Sequence, residues 1–105
     1  MTTERRVVRA TSEFFEDLDR QLGRERGPNG EPSTNDFQTL DLLRIVEHFA
    51  TNFNSLPELI PGRSDYRVFT GTGYLVAAFL VVAQLASDGA VELVELDLDL
   101  GLEWD

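Results

Sequence analysis

From residue 66 to residue 100 the apolar residues fall into strand-like runs, separated by two turn signals, Thr70-Gly-Thr-Gly and Asp88-Gly. This pattern predicts an antiparallel β-meander. Its first strand spans about residues 66–70. The next, residues 74–86, is apolar on both parities, with Leu75, Ala77, Phe79, Val81 and Ala83 alternating with Val76, Ala78, Leu80 and Val82. Such a strand is expected at the centre of a sheet with something covering each face. In the last strand Val94, Leu96, Leu98, Leu100 and Leu102 alternate with Glu95, Asp97, Asp99 and Glu103, whereas Val91 and Leu93 fall on the opposite parity. That switch predicts a bulge near Leu93-Val94 or a twist between two environments.

The preceding part of the chain has helical spacing. A short strand, Arg5-Arg-Val-Val-Arg-Ala, leads to Thr11 and Ser12 as helix caps, with Glu13 in the first turn and Phe14, Phe15, Leu18 and Leu22 along one face. Gly23 or Gly27 ends this helix, and Gly27-Pro-Asn-Gly-Glu-Pro is a loop. Ser33 and Thr34 open a longer second helix, with Asp36 placed as a capping-box partner. Its stripe takes in Phe37, Leu40, Leu43 or Ile45, Val46, Phe49, Ala50 and Phe53, and it ends near Asn54, before Pro57. The expected fold is one α+β domain of order β-α-α-β-β-β: two helices packed on one face of an antiparallel sheet of about four strands. The two helices cover only one sheet face, so the other is expected to meet a partner or a second copy of the chain.

Composition narrows the function classes. The 105 residues contain no cysteine, which removes disulfides and thiolate metal sites. The N-terminus has no signal-like apolar stretch, and the longest apolar run, residues 74–83, is half the roughly 20 residues a membrane helix needs. A soluble cytoplasmic protein with no membrane partner is the expectation. Nineteen acidic residues oppose nine basic ones, all arginine, for a net charge of −10. That field repels phosphate backbones and argues against direct nucleic-acid binding. Solubility is the plain explanation; a docking surface for a basic partner peptide is the sharper one.

The chemical signals are sparse. His48 is a lone helix histidine, expected at a surface or edge. Arg63, Tyr66 and Arg67 can form a basic-aromatic patch, against the plainer expectation of salt bridges to nearby carboxylates. Asp97 and Asp99 share a strand face about 7 Å apart. They lack a third ligand for a hard cation, and charges there also discourage edge-to-edge sheet pairing. Gly71-Thr-Gly73 lacks the strand-to-helix setting of a phosphate loop. No metal or cofactor is expected. The interface candidates are Tyr74, Val76, Phe79, Leu80, Val82 and, as a packing cap or contact residue, Trp104.

Several stretches together resemble the RelE/ParE superfamily of toxin–antitoxin toxins. These are Val8-Arg-Ala-Thr-Ser-Glu-Phe-Phe-Glu-Asp-Leu, Phe53-Asn-Ser-Leu-Pro-Glu-Leu, Pro61-Gly-Arg-Ser-Asp-Tyr-Arg-Val-Phe, Gly73-Tyr-Leu-Val and the final strand. The resemblance covers nearly the whole chain as an order of elements. It implies a small α+β toxin fold, a cognate antitoxin wrapping the surface, and either ribosome-dependent mRNA cleavage or gyrase inhibition. The RNA-cleaving branch places cations where negative charge develops. Here Leu75 stands where that branch has an arginine, and its basic C-terminal segment is replaced by Glu95, Asp97, Asp99, Glu103 and Asp105. Arg63, Arg67, Tyr66, Tyr74 and His48 are the groups left for such chemistry. The expectation is therefore a divergent toxin-family protein acting by protein–protein contacts. The alternative is a non-toxic acidic homodimeric module that satisfies its second sheet face by self-association.

Overall fold

A computed structural model describes residues 5–28 and 32–100. The elements are β1 (Val8–Ala10), α1 (Ser12–Gln21), α2 (Thr34–Thr39), α3 (Asp41–Asn52), a 3-10 turn (Phe53–Ser55), β2 (Tyr66–Gly71), β3 (Ala78–Leu85) and β4 (Val91–Asp99). The class is α+β, as the patterning predicts.

The helices begin where local chemistry places them. The Thr11 side chain accepts the Phe14 N–H at 3.3 Å, and α1 buries Phe14 and Leu18 completely. Phe15, expected on the buried stripe, is instead 40% exposed and meets Phe14 edge to face. A capping box opens α2: Ser33 accepts the Asp36 N–H, and the Asp36 carboxylate accepts the Ser33 N–H, each at 3.1 Å.

The predicted second helix is broken at Leu40 into α2 and α3, giving three helices among the described residues where two are expected. The Thr39 hydroxyl donates to the Asn35 and Asp36 carbonyls, a back-bonding that bends helices. Asp41 then turns inward to a site on the loop after β2 instead of continuing a solvent face.

Asp36 gives the α2 start a pH dependence. The Arg26 guanidinium, then the Ser33 N–H, hold its carboxyl at about 2, below the ordinary 3.8. Because the folded pKa is depressed, this stabilisation is complete above about pH 4 and is lost as pH falls through about 2. Asp36→Asn is therefore expected to lower the urea midpoint at pH 6, with the gap from wild type closing by pH 2. A gap that persists at pH 2 would show that the charge is not what matters.

The sheet order is β1-β4-β3-β2. The meander β2-β3-β4 is antiparallel, but β1 runs parallel to β4, so the sheet is mixed and not antiparallel throughout. The helices and the connector after the 3-10 turn carry the chain from β1 to the far edge of the sheet. Two reversals then bring β4 back alongside β1. Periodicity in a three-residue strand carries no information on direction.

The expected bulge is present. Val82 pairs with Glu95 and Ala83 with Leu93, leaving Val94 as the extra residue. Its effect is to put Val91 and Leu93 on the same face as Leu96 and Leu98 despite their opposite parity. That face, with Val81 and Ala83, packs against Phe14, Leu18, Phe37, Ile45 and Phe49 in one core.

Beyond Leu93, no described strand lies on the outer side of β4, and α1 side chains take that place. Asp17 accepts the Leu96 N–H at 3.1 Å, and Gln21 donates to the Leu96 carbonyl and accepts the Leu98 N–H, both at 2.7 Å. Among the described residues no helix is long and apolar enough to cross a membrane.

Candidate protein-binding face

Consecutive residues of a strand point to opposite faces, and this separates the basic-aromatic candidates. Tyr66 lies on the sheet face away from the helices, paired with Gln84, while Arg67 pairs with the core residue Ala83 on the helix side. Arg67 is largely buried. It donates to the carbonyls of Leu56 at 2.7 Å, Ser64 at 2.8 Å and Asn54 at 3.2 Å, with its guanidinium 5.6 Å from the Phe53 ring. It thus fastens the connector to β2.

Arg63 makes a two-pronged contact with Asp65, at 3.0 and 2.9 Å, and lies over the Tyr66 ring. Its guanidinium holds the Asp65 carboxyl below the usual carboxylate range. Arg63 and Tyr66 therefore adjoin, but Arg67 does not converge with them on a common point. His48 is half-buried and stacked on Phe69 at 4.2 Å.

The interface candidates divide as well. Val76 (3% exposed) and Phe79 (5%) belong to the core, not to an outer face. Tyr74 is the most exposed, at 74%, in the turn before β3, where the Arg44 guanidinium lies 4.5 Å from its ring. Leu80 and Val82 do lie on the helix-free face, since their register partners are Thr70 and Val68 on β2 and Asp97 and Glu95 on β4. Trp104 lies outside the described residues.

This open face has a definite layout. Val68, Ala78, Leu80 and Val82 form its apolar centre, and Glu92, Glu95, Asp97 and Asp99 line up along β4. Val82 is 4% exposed although no described helix lies on this face; Val68, Ala78 and Leu80 are half-open. A depression of about 410 Å³ opens between Thr70, Ala78, Leu80, Asp97 and Asp99. The cations near the face are already engaged. Arg9 donates to Asp88 at 3.0 and 3.3 Å and to Glu92 at 3.4 Å. That pairing holds the Asp88 carboxyl low. The Glu95 and Asp97 carboxylates make no hydrogen bond or ion pair among the described residues. No group of three His, Asp or Glu side chains suited to a metal occurs among the described residues.

A second cavity, of about 570 Å³, gathers Arg5, Arg6 and Arg9 near the end of α3. Arg5 pairs there with Glu47 and Arg9 with Asp88, so most of the positive charge is neutralised in place.

The sequence reading missed Asp41. Its side chain is fully buried and accepts the N–H groups of Tyr74 at 2.7 Å and Leu75 at 2.9 Å. The available signal was a glycine-bracketed turn whose amides need an acceptor, with an acid interrupting a helical stripe.

Comparison with known protein families, curated proteins and solved structures finds no match to this chain.

Proposed function

We propose that the chain is a divergent RelE/ParE-like toxin-family protein that works through protein–protein contacts and not by cleaving RNA. The observation carrying this reading is the sheet face that no described helix covers, with Leu80 at its centre and a row of carboxylates beside it. A face of this kind suits a protein partner and repels a phosphate chain. The engagement of Arg67 with three backbone carbonyls argues in the same direction, because it holds that guanidinium away from a developing phosphorane charge. The chain's resemblance in element order to the superfamily supplies the toxin–antitoxin context, in which a cognate antitoxin neutralises the protein.

The test is a growth curve during induction of the chain alone, together with its light-scattering mass. Growth arrest relieved by co-expressing an adjacent reading frame is the expected result. A soluble, non-toxic dimer would overturn the toxin reading in favour of a homodimeric interaction module.

A further inference from the structure

We infer that the open sheet face around Leu80 is the docking site for a cationic amphipathic helix of a partner protein, an inference that rests on the protein-contact reading above. The geometry of the face selects this occupant. Thr70, Leu80 and Asp97 lie abreast on β2, β3 and β4, as do Val68, Val82 and Glu95. Neighbouring strands are about 4.8 Å apart. The acidic row therefore lies about 5 Å to one side of Leu80 and Val82, and about 10 Å from Val68. A helix is about 10 Å across with its side chains. Laid along the strands, its apolar stripe covers Leu80, Ala78 and Val68 while arginines or lysines on one flank meet Glu95 and Asp97.

The alternatives fit less well. A second copy of the chain carries a net charge of −10 and an identical acidic row. The cations bordering its own face, Arg9 and Arg63, are held by Asp88 and Glu92 and by Asp65. An added strand finds the outer side of β2, and that of β4 beyond β1, already occupied. Along β2, Val68 N–H donates to the Pro57 carbonyl and Leu59 N–H to the Tyr66 carbonyl. Along β4, Asp17 and Gln21 occupy the backbone groups of Leu96 and Leu98. Access is over the face.

The test uses the full chain and a labelled helical peptide with leucines at i, i+3, i+4 and i+7, arginines along one flank and no acids, followed by fluorescence anisotropy. Glu95→Gln/Asp97→Asn is expected to weaken binding by about tenfold, the scale of two exposed ion pairs. Leu80→Ser should weaken it comparably. The control, Glu16→Gln/Asp19→Asn, removes the same charge from the exposed side of α1 and should change binding by less than about twofold. Equal losses in the two double variants would reduce the effect to net charge and overturn the inference. A dimer of the chain abolished by Leu80→Ser would also overturn it, by placing a second copy on the face. Growth arrest and its relief, measured on the same variants, separate the two readings. Relief that is unchanged in Glu95→Gln/Asp97→Asn overturns this docking site and leaves the protein-contact reading standing. A wild-type chain that is inert in cells but binds the peptide with the expected variant pattern removes the toxin reading alone.

Discussion

Phe79→Asp is expected to leave the chain unfolded at room temperature, whereas Leu80→Asp, one residue along the same strand, is expected to fold. Phe79 is 5% exposed, meets Phe69 edge to face at 5.1 Å, and lies against Gly71, where an added Cβ would approach its ring to 3.1 Å. Truncating a buried phenylalanine costs about 3–5 kcal/mol, and a carboxylate in its place adds a desolvation penalty. Together these rival the ~5–15 kcal/mol that a domain of this kind has in total. Leu80 is half-open on the other face and pairs directly with Asp97. A like charge there costs about 1 kcal/mol in cross-strand repulsion, with a similar loss from partial burial. Far-UV circular dichroism and urea titration of the two variants check the contrast. A Phe79→Asp chain with a near-native midpoint would remove that residue from the core. Leu80→Asp then becomes a reagent for the face itself, because it disturbs docking without removing the fold.

The same pair shows which parts of the fold were legible. Parity along the meander located both faces of β3, and the parity switch in β4 located the bulge at Val94, because a period of two is imposed by the backbone itself. The caps at Thr11 and Ser33 were legible for the same reason: their hydrogen bonds close within three residues. Parity alone does not say which face of β3 the helices cover, so it cannot separate Phe79 in the core from Leu80 on the open face. The direction of β1, the break at Leu40 and the engagement of Arg67 depend on groups far away in sequence. Residues 74–77 scan as strand because their side chains are apolar, yet they form a turn. The candidate site was half legible. The acidic row on β4 can be read from alternation, but that Arg9 reaches Glu92 and not Glu95 or Asp97 appears only once the arginines are placed.

Asp41→Ala is expected to release that turn. The buried carboxylate holds two backbone N–H groups, Tyr74 and Leu75, and Gly73 packs so close that an added Cβ would lie 2.7 Å from Asp41 Oδ2 and 2.8 Å from Val76 Cγ2. Hydrogen bonds to a charged acceptor are each worth about 1.5–3 kcal/mol, and the unsatisfied amides can turn towards water once the turn opens, so the expected cost is about 3 kcal/mol. Asp41→Asn should recover little of this, since one carboxylate oxygen becomes an NH2 group facing an N–H donor. Gly73→Ala should be destabilising by itself. Combined with Asp41→Ala it should cost less than the sum, because one of the two close contacts has gone while Val76 remains. Urea titration supplies the energies and amide hydrogen exchange the location. Exchange at Tyr74 and Leu75 should accelerate in Asp41→Ala while the amides of β3 at Val81 and Ala83 stay protected. Unchanged protection at Tyr74 and Leu75 would mean that the carboxylate is not what holds the turn. Loosening at β3 as well would mean that the latch supports the whole hairpin. In that case the depression beside Leu80, whose rim includes Ala78 at the start of β3, would be lost with it.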